Sequence, residues 1–582
     1  MTDEGLQDRR TAARAAQAEL VAAKAPFAAI ACPGAGKTRL IVDRHVTQPV
    51  PARQGRAIAS FTRVAAAEVH QRCTMLHRLD LVDHPHFVDT LDTFIWLHLV
   101  RPFLPAGRQW QRLESWRDAP AARRQFFCGS RPYRIEDVHF QVDSVGRWSA
   151  SPTGPARWQP LPEGWHWRAD QHRRRLAEDG YLTGVELRAH ACTNLTTHGT
   201  RLGQVLTAKY AELVVDEAQD CAPVDLHILS RLHDLGLPIV MVADPDQAIY
   251  GFRGAASDEL VSIAERLGRC ELTGNWRSTS IICRIAATLR TSGRPADNAV
   301  ADHHAETTPV LLYSATTGDT AVADFLDYAA RLGISASDCM IMAHAQSSLP
   351  KSYAGSADPP SGNTNALVWA VGILTELPAA PSKTRAHARD ILTRTVLRWW
   401  YPDADGHTIT EALATYNLES AAIDRLLYRL LAAMPALDQP LTEWTAAATT
   451  VLTAHPPASG LTRAGSRLTA PKNKATMARR AAGLPPRSTQ GNLPRLSTVH
   501  QAKGDEAEAV LVCIPNNATA GATTIEAWIT GHAPDASTAE ALRVLYVAVT
   551  RARRLLALTV PATHRGRLAA CLADQDVPVE LR

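Results

Sequence analysis

Three groups of residues in this 582-residue chain have types and spacing suited to phosphate chemistry. The first is Ala31-Cys32-Pro33-Gly34-Ala35-Gly36-Lys37-Thr38. Small residues let successive backbone N–H groups turn inward around a polyphosphate, and a helix opening just afterwards adds the favourable end of its dipole. Lys37 would reach the β- and γ-phosphates, and the Thr38 hydroxyl would hold Mg²⁺. Ala31 stands where the strict pattern G-x-x-x-x-G-K-S/T has glycine. The second group is Asp216-Glu217-Ala218-Gln219-Asp220. There Asp216 would hold Mg²⁺ through water, and Glu217 would orient or deprotonate an attacking water. The third runs from Asp244 to Ala255: Gln247 would sense a γ-phosphate or its attacking water, and Tyr250 and Phe252, two residues apart, present rings to bases. The plain alternatives are a Gly-rich turn, a solvated strand end and a loop with aromatic packing. Gly-Lys-Thr in the right order, followed at a distance by paired acids, favours the chemistry.

Each group needs an element to aim it. The apolar run Phe27-Ala28-Ala29-Ile30 leads into the loop, and Arg39-Leu40-Ile41-Val42 starts a helix after it. Further strands are read at 56–61, 87–91, 211–215 and 238–243, with a helix at 65–69 between the first two. An Ala-rich helix is expected over 6–24. Strands alternating with helices argue for a doubly wound α/β core.

Composition narrows the class. At this length several domains are expected. Apolar content of 46% and charged content of 21% fit a folded soluble protein. The ten cysteines are scattered, with no C-x-x-C pair, and read as reduced thiols of a cytoplasmic protein. The polar start Met1-Thr2-Asp3-Glu4-Gly5 predicts no secretory leader, and the lack of a long apolar run predicts no membrane association.

The net charge is only +4, but it is unevenly spread. Between Arg101 and Leu176 there are 14 Arg, no Lys and 7 acids, with Trp110, Trp116, Trp148, Trp158, Trp165 and Trp167 interleaved. Such a field suits single-stranded nucleic acid, with bases on rings and guanidinium groups on phosphates. Alternatively the Trp side chains form the core of a small inserted subdomain that the Arg residues solvate.

With these residues in view, the chain resembles superfamily 1 DNA helicases of the UvrD/Rep/PcrA type. Ala31–Thr38 resembles that family's A-G-x-G-S/T-G-K-T, and residues 60–68 resemble T-F-T-N-x-A-A-x-E. Residues 216–220 resemble D-E-x-Q-D, and residues 244–255 resemble D-x-x-Q-x-I-Y-x-F/W-R-G-A, with Ala243 where Gly is usual. Leu272–Ser278 resembles L-x-x-N-Y-R-S with Trp276 for Tyr, and Thr498–Glu506 resembles T-x-H-x-A-K-G-L-E with Asp505 for Leu. Tyr546–Ala552 resembles Y-V-A/G-x-T-R-A.

The resemblance implies roles. Lys37, Asp216, Glu217, Gln247, Arg277 and Arg551 would be catalytic, with Thr38 and Asp216 on Mg²⁺. ATP would be held by Ala31 to Thr38, Arg39, Gln17 (reading adenine), Trp276 (stacking on it), Glu506 (on the ribose), Arg277 and Arg551. Single-stranded DNA would touch Phe61, Thr62, Arg63, Thr93, Tyr250, Phe252, Arg253, Thr498 and His500. Arg277 and Arg551 would reach the γ-phosphate from a second core, so that closure drives a step along DNA.

The expected fold is α/β, with two RecA-like P-loop NTPase cores built on parallel sheets, each carrying an inserted, largely helical subdomain. Residues 1–100 and 181–268 would form the first core around an Arg/Trp-rich insert at 101–180. Residues 269–349 and 491–582 would form the second around a mobile insert at 350–490. Within that insert 391–400 and 422–427 read as helical, and the basic stretch from Pro471 to Arg487 reads as a DNA contact or a solvated linker. The expected activity is ATP-dependent translocation on single-stranded DNA, 3′ to 5′ by resemblance, with single/double-strand junctions as further partners. About 30 residues follow Arg551, so any nuclease activity would come from a partner protein encoded nearby. The alternative is an ATP-gated DNA-binding recruitment subunit without processive unwinding, as in Gabija-type phage defence. A second alternative is an RNA substrate in place of DNA.

Overall fold

The computed structural model describes residues 3–61, 63–143, 146–153, 161–249, 257–290, 294–315, 318–345, 348–350, 359–360, 362–377, 380, 382–401, 403–404, 409–464, 468–469, 476–484, 493–516 and 521–582. Two compact units divide the chain. One comprises Met1–Pro309, Glu526–Arg554 and Cys571–Pro578, and the other Val310–Ile525, Leu555–Ala570 and Val579–Arg582.

The first unit is built on six strands in the order Arg269–Leu272, Phe27–Ala31, Ile239–Ala243, Tyr210–Asp216, Gly55–Ser60 and Phe87–Thr90. Every pairing is parallel. Alternate residues of one strand serve opposite faces. Ala28 and Ile30 pack into one apolar cluster, and Phe27, Ala29 and Ala31 into another. A sheet covered on both faces needs strands apolar throughout, which is why these segments read as continuous apolar runs. Register aligns the carboxyl ends: Ser60 lies opposite both Asp216 and Thr90, and Ile30 opposite Ala243. Loops leaving this edge therefore emerge side by side, the arrangement in which open α/β sheets bind ligands.

The insert within this unit corrects the expectation of a largely helical subdomain. It holds two antiparallel hairpins, Gln125–Cys128 with Arg131–Arg134 and Val138–Val142 with Trp148–Pro152, and one long helix, Trp165–Glu178. Four- and five-residue strands can bury one face only when helix covers it, and here Phe126, Tyr133, Val138 and Phe140 meet Trp165, Ala169 and Leu176. Three of the six Trp residues contribute to that core. Trp116 and Trp165 are buried, and Trp148 packs against the cluster with the Arg173 guanidinium 3.5 Å from its ring centroid. Trp167 is 57% exposed, and Trp158 lies outside the described residues. Much of the Arg field is paired internally: Arg123 with Asp179, Arg124 and Arg134 with Glu136, Arg147 with Asp143, and Arg173 and Arg174 with Asp170.

Two boundaries also differ from expectation. The break expected after residue 268 falls after Pro309, because Arg269–Leu272 is the edge strand beside Phe27–Ala31. The returning segment Glu526–Arg554 packs with the first unit, while strand Ala552–Val560, which begins within it, pairs in the second sheet.

The second unit has its own six-stranded sheet, ordered Arg495–Thr498, Cys339–Ala343, Ala507–Cys513, Ala552–Val560, Val310–Ser314 and Val579–Leu581. Between Cys339–Ala343 and Arg495–Thr498 the chain forms six helices among the described residues, from Asn363–Glu376 to Ala478–Ala481. They pack round Trp369, Trp399, Leu430 and Trp444. Of the basic stretch from Pro471 to Arg487, residues 471–475 and 485–487 lie outside the described residues, and Arg479 pairs with Glu376. All ten cysteines are free thiols, and among the described residues no helix is long and apolar enough to cross a membrane.

Candidate active site

The loop after Phe27–Ala31 turns through two left-handed glycines, Gly34 (φ 71°) and Gly36 (φ 80°), and Gly36 caps helix Lys37–Thr47. Space as well as angle demands glycine at Gly34, where a Cβ would lie 2.6 Å from Arg277 Cβ and 2.8 Å from Asn275 Oδ1. Segment 275–278 is laid directly over the loop, the Trp276 N–H donating to the Gly34 carbonyl at 3.0 Å. Asn275 Oδ1 accepts from the backbone N–H groups of Arg277 and Ser278. Two left-handed glycine turns at the N-terminus of a helix are the backbone form that can cradle an anion.

Across the sheet edge, Asp216 is buried and ends its strand, and Glu217 adopts φ 51°. A left-handed non-glycine residue is uncommon and costs on the order of 1–3 kcal/mol, and such residues cluster at functional sites. Here it brings Glu217 Oε1 within 3.7 Å of Lys37 Nζ. Gln219 donates to Glu217 Oε2 and accepts from the Asp244 N–H, tying the paired acids to the next strand. Burial first, and then the Glu217 charge, push the Asp216 carboxyl well above the usual range, against the pull of Lys37. Two carboxylates balanced by one ammonium leave a site receptive to a cation.

Gln247 is buried beyond the end of the neighbouring strand. Its Nε2 donates to Asp244 Oδ2 at 2.8 Å, and its Oε1 accepts from Arg551 Nη2 at 3.1 Å. Arg551 is 2% exposed and also donates to the Val547 carbonyl, while Arg277 Nη1 reaches the Thr550 carbonyl at 3.1 Å. Burial, and then the Arg277 guanidinium, pull the Arg551 pKa down to about 9, opposed by Glu217. Arg277 and Arg551 both pack within the first compact unit, and Arg551 directly precedes strand Ala552–Val560. Helix Ala536–Val549 is tied to the strand end by Tyr546 Oη donating to Asp244 Oδ2 and Arg543 to the Ala248 carbonyl.

The other expected residues divide into clear groups. Gln17, on helix α1 (Asp3–Ala22), has its Nε2 buried without a hydrogen-bond partner among the described residues, 3.4 Å from where a Cβ on Gly36 would lie. Arg39 instead makes an exposed pair with Asp43, one turn along its own helix. Phe61 and Thr93 sit beyond the ends of neighbouring strands, and Thr93 Oγ1 accepts from Arg112 of the insert. Arg63 opens helix Arg63–Met75. Thr62, Tyr250, Phe252 and Arg253 lie outside the described residues. Thr498, His500 and the exposed Glu506 belong to the second unit, where the His500 and His344 rings are 5.6 Å apart.

Sequence reasoning missed Arg290 and Arg294. Arg294 bridges Asp244 and Asp246, each at 2.7 Å, and Arg290 pairs with Asp297 at 2.5 Å. Nothing in their spacing marks them. Gln219 was visible inside Asp216–Asp220, but its position between two strands was not.

Residues 170–267 match the UvrD/REP helicase N-terminal domain, and residues 488–563 match the UvrD-like helicase C-terminal domain. Both matches are to domains of UvrD-type helicases, and together they cover less than a third of the chain. The first match holds Asp216, Glu217 and Gln247; the second holds Thr498, His500, Glu506 and Arg551. Among individual proteins, the chain is similar to DNA helicase II of Escherichia coli (strain K12), 26% identical over 337 residues, 51% of this chain and 43% of that one. It is similar to YjcD of Bacillus subtilis (strain 168), 23% identical over 276 residues, 45% of this chain and 36% of that one. RecB of the Mycolicibacterium smegmatis RecBCD enzyme is 36% identical over 80 residues, 13% of this chain and 7% of RecB. The chain thus spans less than half the length of each relative named.

Proposed function

We propose that this chain hydrolyses ATP with Mg²⁺ at the carboxyl edge of the first sheet and uses it to move on single-stranded DNA. The observation that carries the reading is the convergence of Lys37, Glu217, Gln247, Arg551 and Arg277 round one glycine-turned loop. The donor set fits the nucleotide. Gln17 keeps a buried Nε2 unpartnered beside Gly36, and burial and the Arg277 guanidinium disfavour the Arg551 charge, which a bound anion would relieve. In this reading the loop N–H groups and Lys37 bind the phosphates, Thr38 and Asp216 hold Mg²⁺, and Glu217 orients water. Arg277 and Arg551 stabilise the charge that develops in the transition state. Such an arginine is worth roughly 10³–10⁵ in rate.

Phe61, Thr93, Thr498 and His500 are proposed to contact the strand, with 3′ to 5′ polarity resting on family resemblance alone. Residues 101–180 and 350–490 are proposed as insertions into two nucleotide-handling cores. The test is ATP hydrolysis by the purified chain with single-stranded DNA, single-stranded RNA or no nucleic acid, followed by strand displacement on 3′- and 5′-tailed duplexes. Stimulation by DNA and displacement from the 3′ tail are expected. Hydrolysis indifferent to DNA would refute the motor reading, and DNA stimulation without displacement would favour a recruitment role.

A further inference from the structure

Helix α1 carries Arg10, Arg14 and Gln17 at i, i+4 and i+7, which sets them along one face. That face is fastened at one end and abuts the phosphate loop at the other. Arg10 donates to Asp302 Oδ1 at 2.6 Å and to the Val300 carbonyl at 2.9 Å, and Gln17 ends beside Gly36. In the middle, Ala13 meets Gly274 so closely that a Cβ on Gly274 would fall 2.5 Å from Ala13 Cβ. Between these fixed points the Arg14 guanidinium lies 5.4 Å from the centroid of the Trp276 ring. Arg14 has no ion pair among the described residues; its charge faces an indole, not an acid.

The Trp276 ring is tied to the phosphate loop through its own backbone, and a base approaching the loop would stack on it. A base between Arg14 and Trp276 would need two layers of about 3.5–4.0 Å each. The 5.4 Å gap admits none, so a base would take the opposite face of the ring. We propose that Arg14 is a positioning residue that backs the Trp276 indole and sets its plane for a purine base, so that base affinity at this site depends on a guanidinium–indole stack. This rests on the nucleotide reading of the loop. Gln17, three residues along the same face, keeps its Nε2 unpartnered beside Gly36.

The test separates base from phosphate. Binding of Mg-ATP and of magnesium tripolyphosphate, which has no base, is measured on the full chain, on Arg14→Ala and on Arg14→Lys, with melting curves as a check on folding. Cation–π contacts of about 0.5–2 kcal/mol correspond to about 2- to 30-fold in affinity. Arg14→Ala should lose that factor for ATP and keep tripolyphosphate affinity within about twofold, and Arg14→Lys should recover part of the loss. ATP bound by Arg14→Ala as tightly as by the unaltered chain would overturn the proposal. So would an equal loss of both ligands, which would make α1 simple scaffolding. If the unaltered chain binds neither ligand, the nucleotide reading fails and this inference falls with it.

Discussion

Replacing Arg551 with glutamine separates an anion-binding role from a structural one. The side chain is 2% exposed and makes hydrogen bonds to Gln247 Oε1 at 3.1 Å, the Val547 carbonyl at 3.0 Å and Thr550 Oγ1 at 3.3 Å. Removing one member of a buried, paired charge network ordinarily costs about 3–5 kcal/mol. Arg551 differs because its surroundings oppose its charge: burial and Arg277 both lower its pKa, and the resulting penalty is fully present below about pH 9. Glutamine removes that penalty along with the hydrogen bonds. The nucleotide-free stability of Arg551→Gln should therefore stay within about 1.5 kcal/mol of the unaltered chain, the net worth of one or two hydrogen bonds. Turnover should behave otherwise. Loss of an arginine worth roughly 10³–10⁵ in rate raises the barrier by about 4–7 kcal/mol. The assays are DNA-stimulated ATP hydrolysis and thermal unfolding with and without a non-hydrolysable ATP analogue. A ligand at about 100 times its Kd stabilises by about 2.7 kcal/mol, and that increment should shrink in the variant. A folded variant with kcat within about tenfold of the unaltered chain would refute the reasoning.

Glu212 receives Arg44 at 2.6 Å and Arg56 at 2.5 Å with all three side chains buried, which anchors the helix after the phosphate loop to two strands. Glu212→Gln leaves two buried guanidinium groups without a counter-charge and should lower unfolding free energy in urea by about 3–5 kcal/mol; a loss under about 1 kcal/mol would remove this network from the account. Gly34→Ala forces a side chain into φ 71° against Arg277 and Asn275, and should cost about 1–3 kcal/mol of stability while displacing segment 275–278 from the loop. Mg-ATP affinity should fall with it, and nucleotide binding at the original Kd would contradict the described approach of that segment.

The strands of the first sheet were legible because each is apolar along its whole length, as Phe27–Ala31 and Ile239–Ala243 are. Lys37, Asp216, Glu217 and Gln247 were legible as chemistry because they follow such strands directly. The hairpins of the insert were not. Arg131–Arg134 carries two arginines and a proline in four residues, and only Tyr133 faces inward. Its strand character comes from pairing with Gln125–Cys128, and four residues are too few to show a period of two. The boundary near residue 268 was misread for a related reason. Arg269–Leu272 shows one buried residue in four, so nothing local marks it as the edge strand of the first sheet. The placement of Arg551 was hidden because it depends on helix Ala536–Val549 packing at Asp244, roughly three hundred residues earlier in the chain. Arg14 had no signal at all, since its partner Trp276 is brought to it by the fold.

In the proposed function, hydrolysis occurs at the glycine-turned loop and is coupled to DNA there. Lys37 lies 3.7 Å from Glu217, between the loop and the paired acids. Lys37→Ala, checked by melting to be folded, should abolish single-stranded-DNA-stimulated ATP hydrolysis. Stimulated hydrolysis persisting at the rate of the unaltered chain would contradict the assignment of the site.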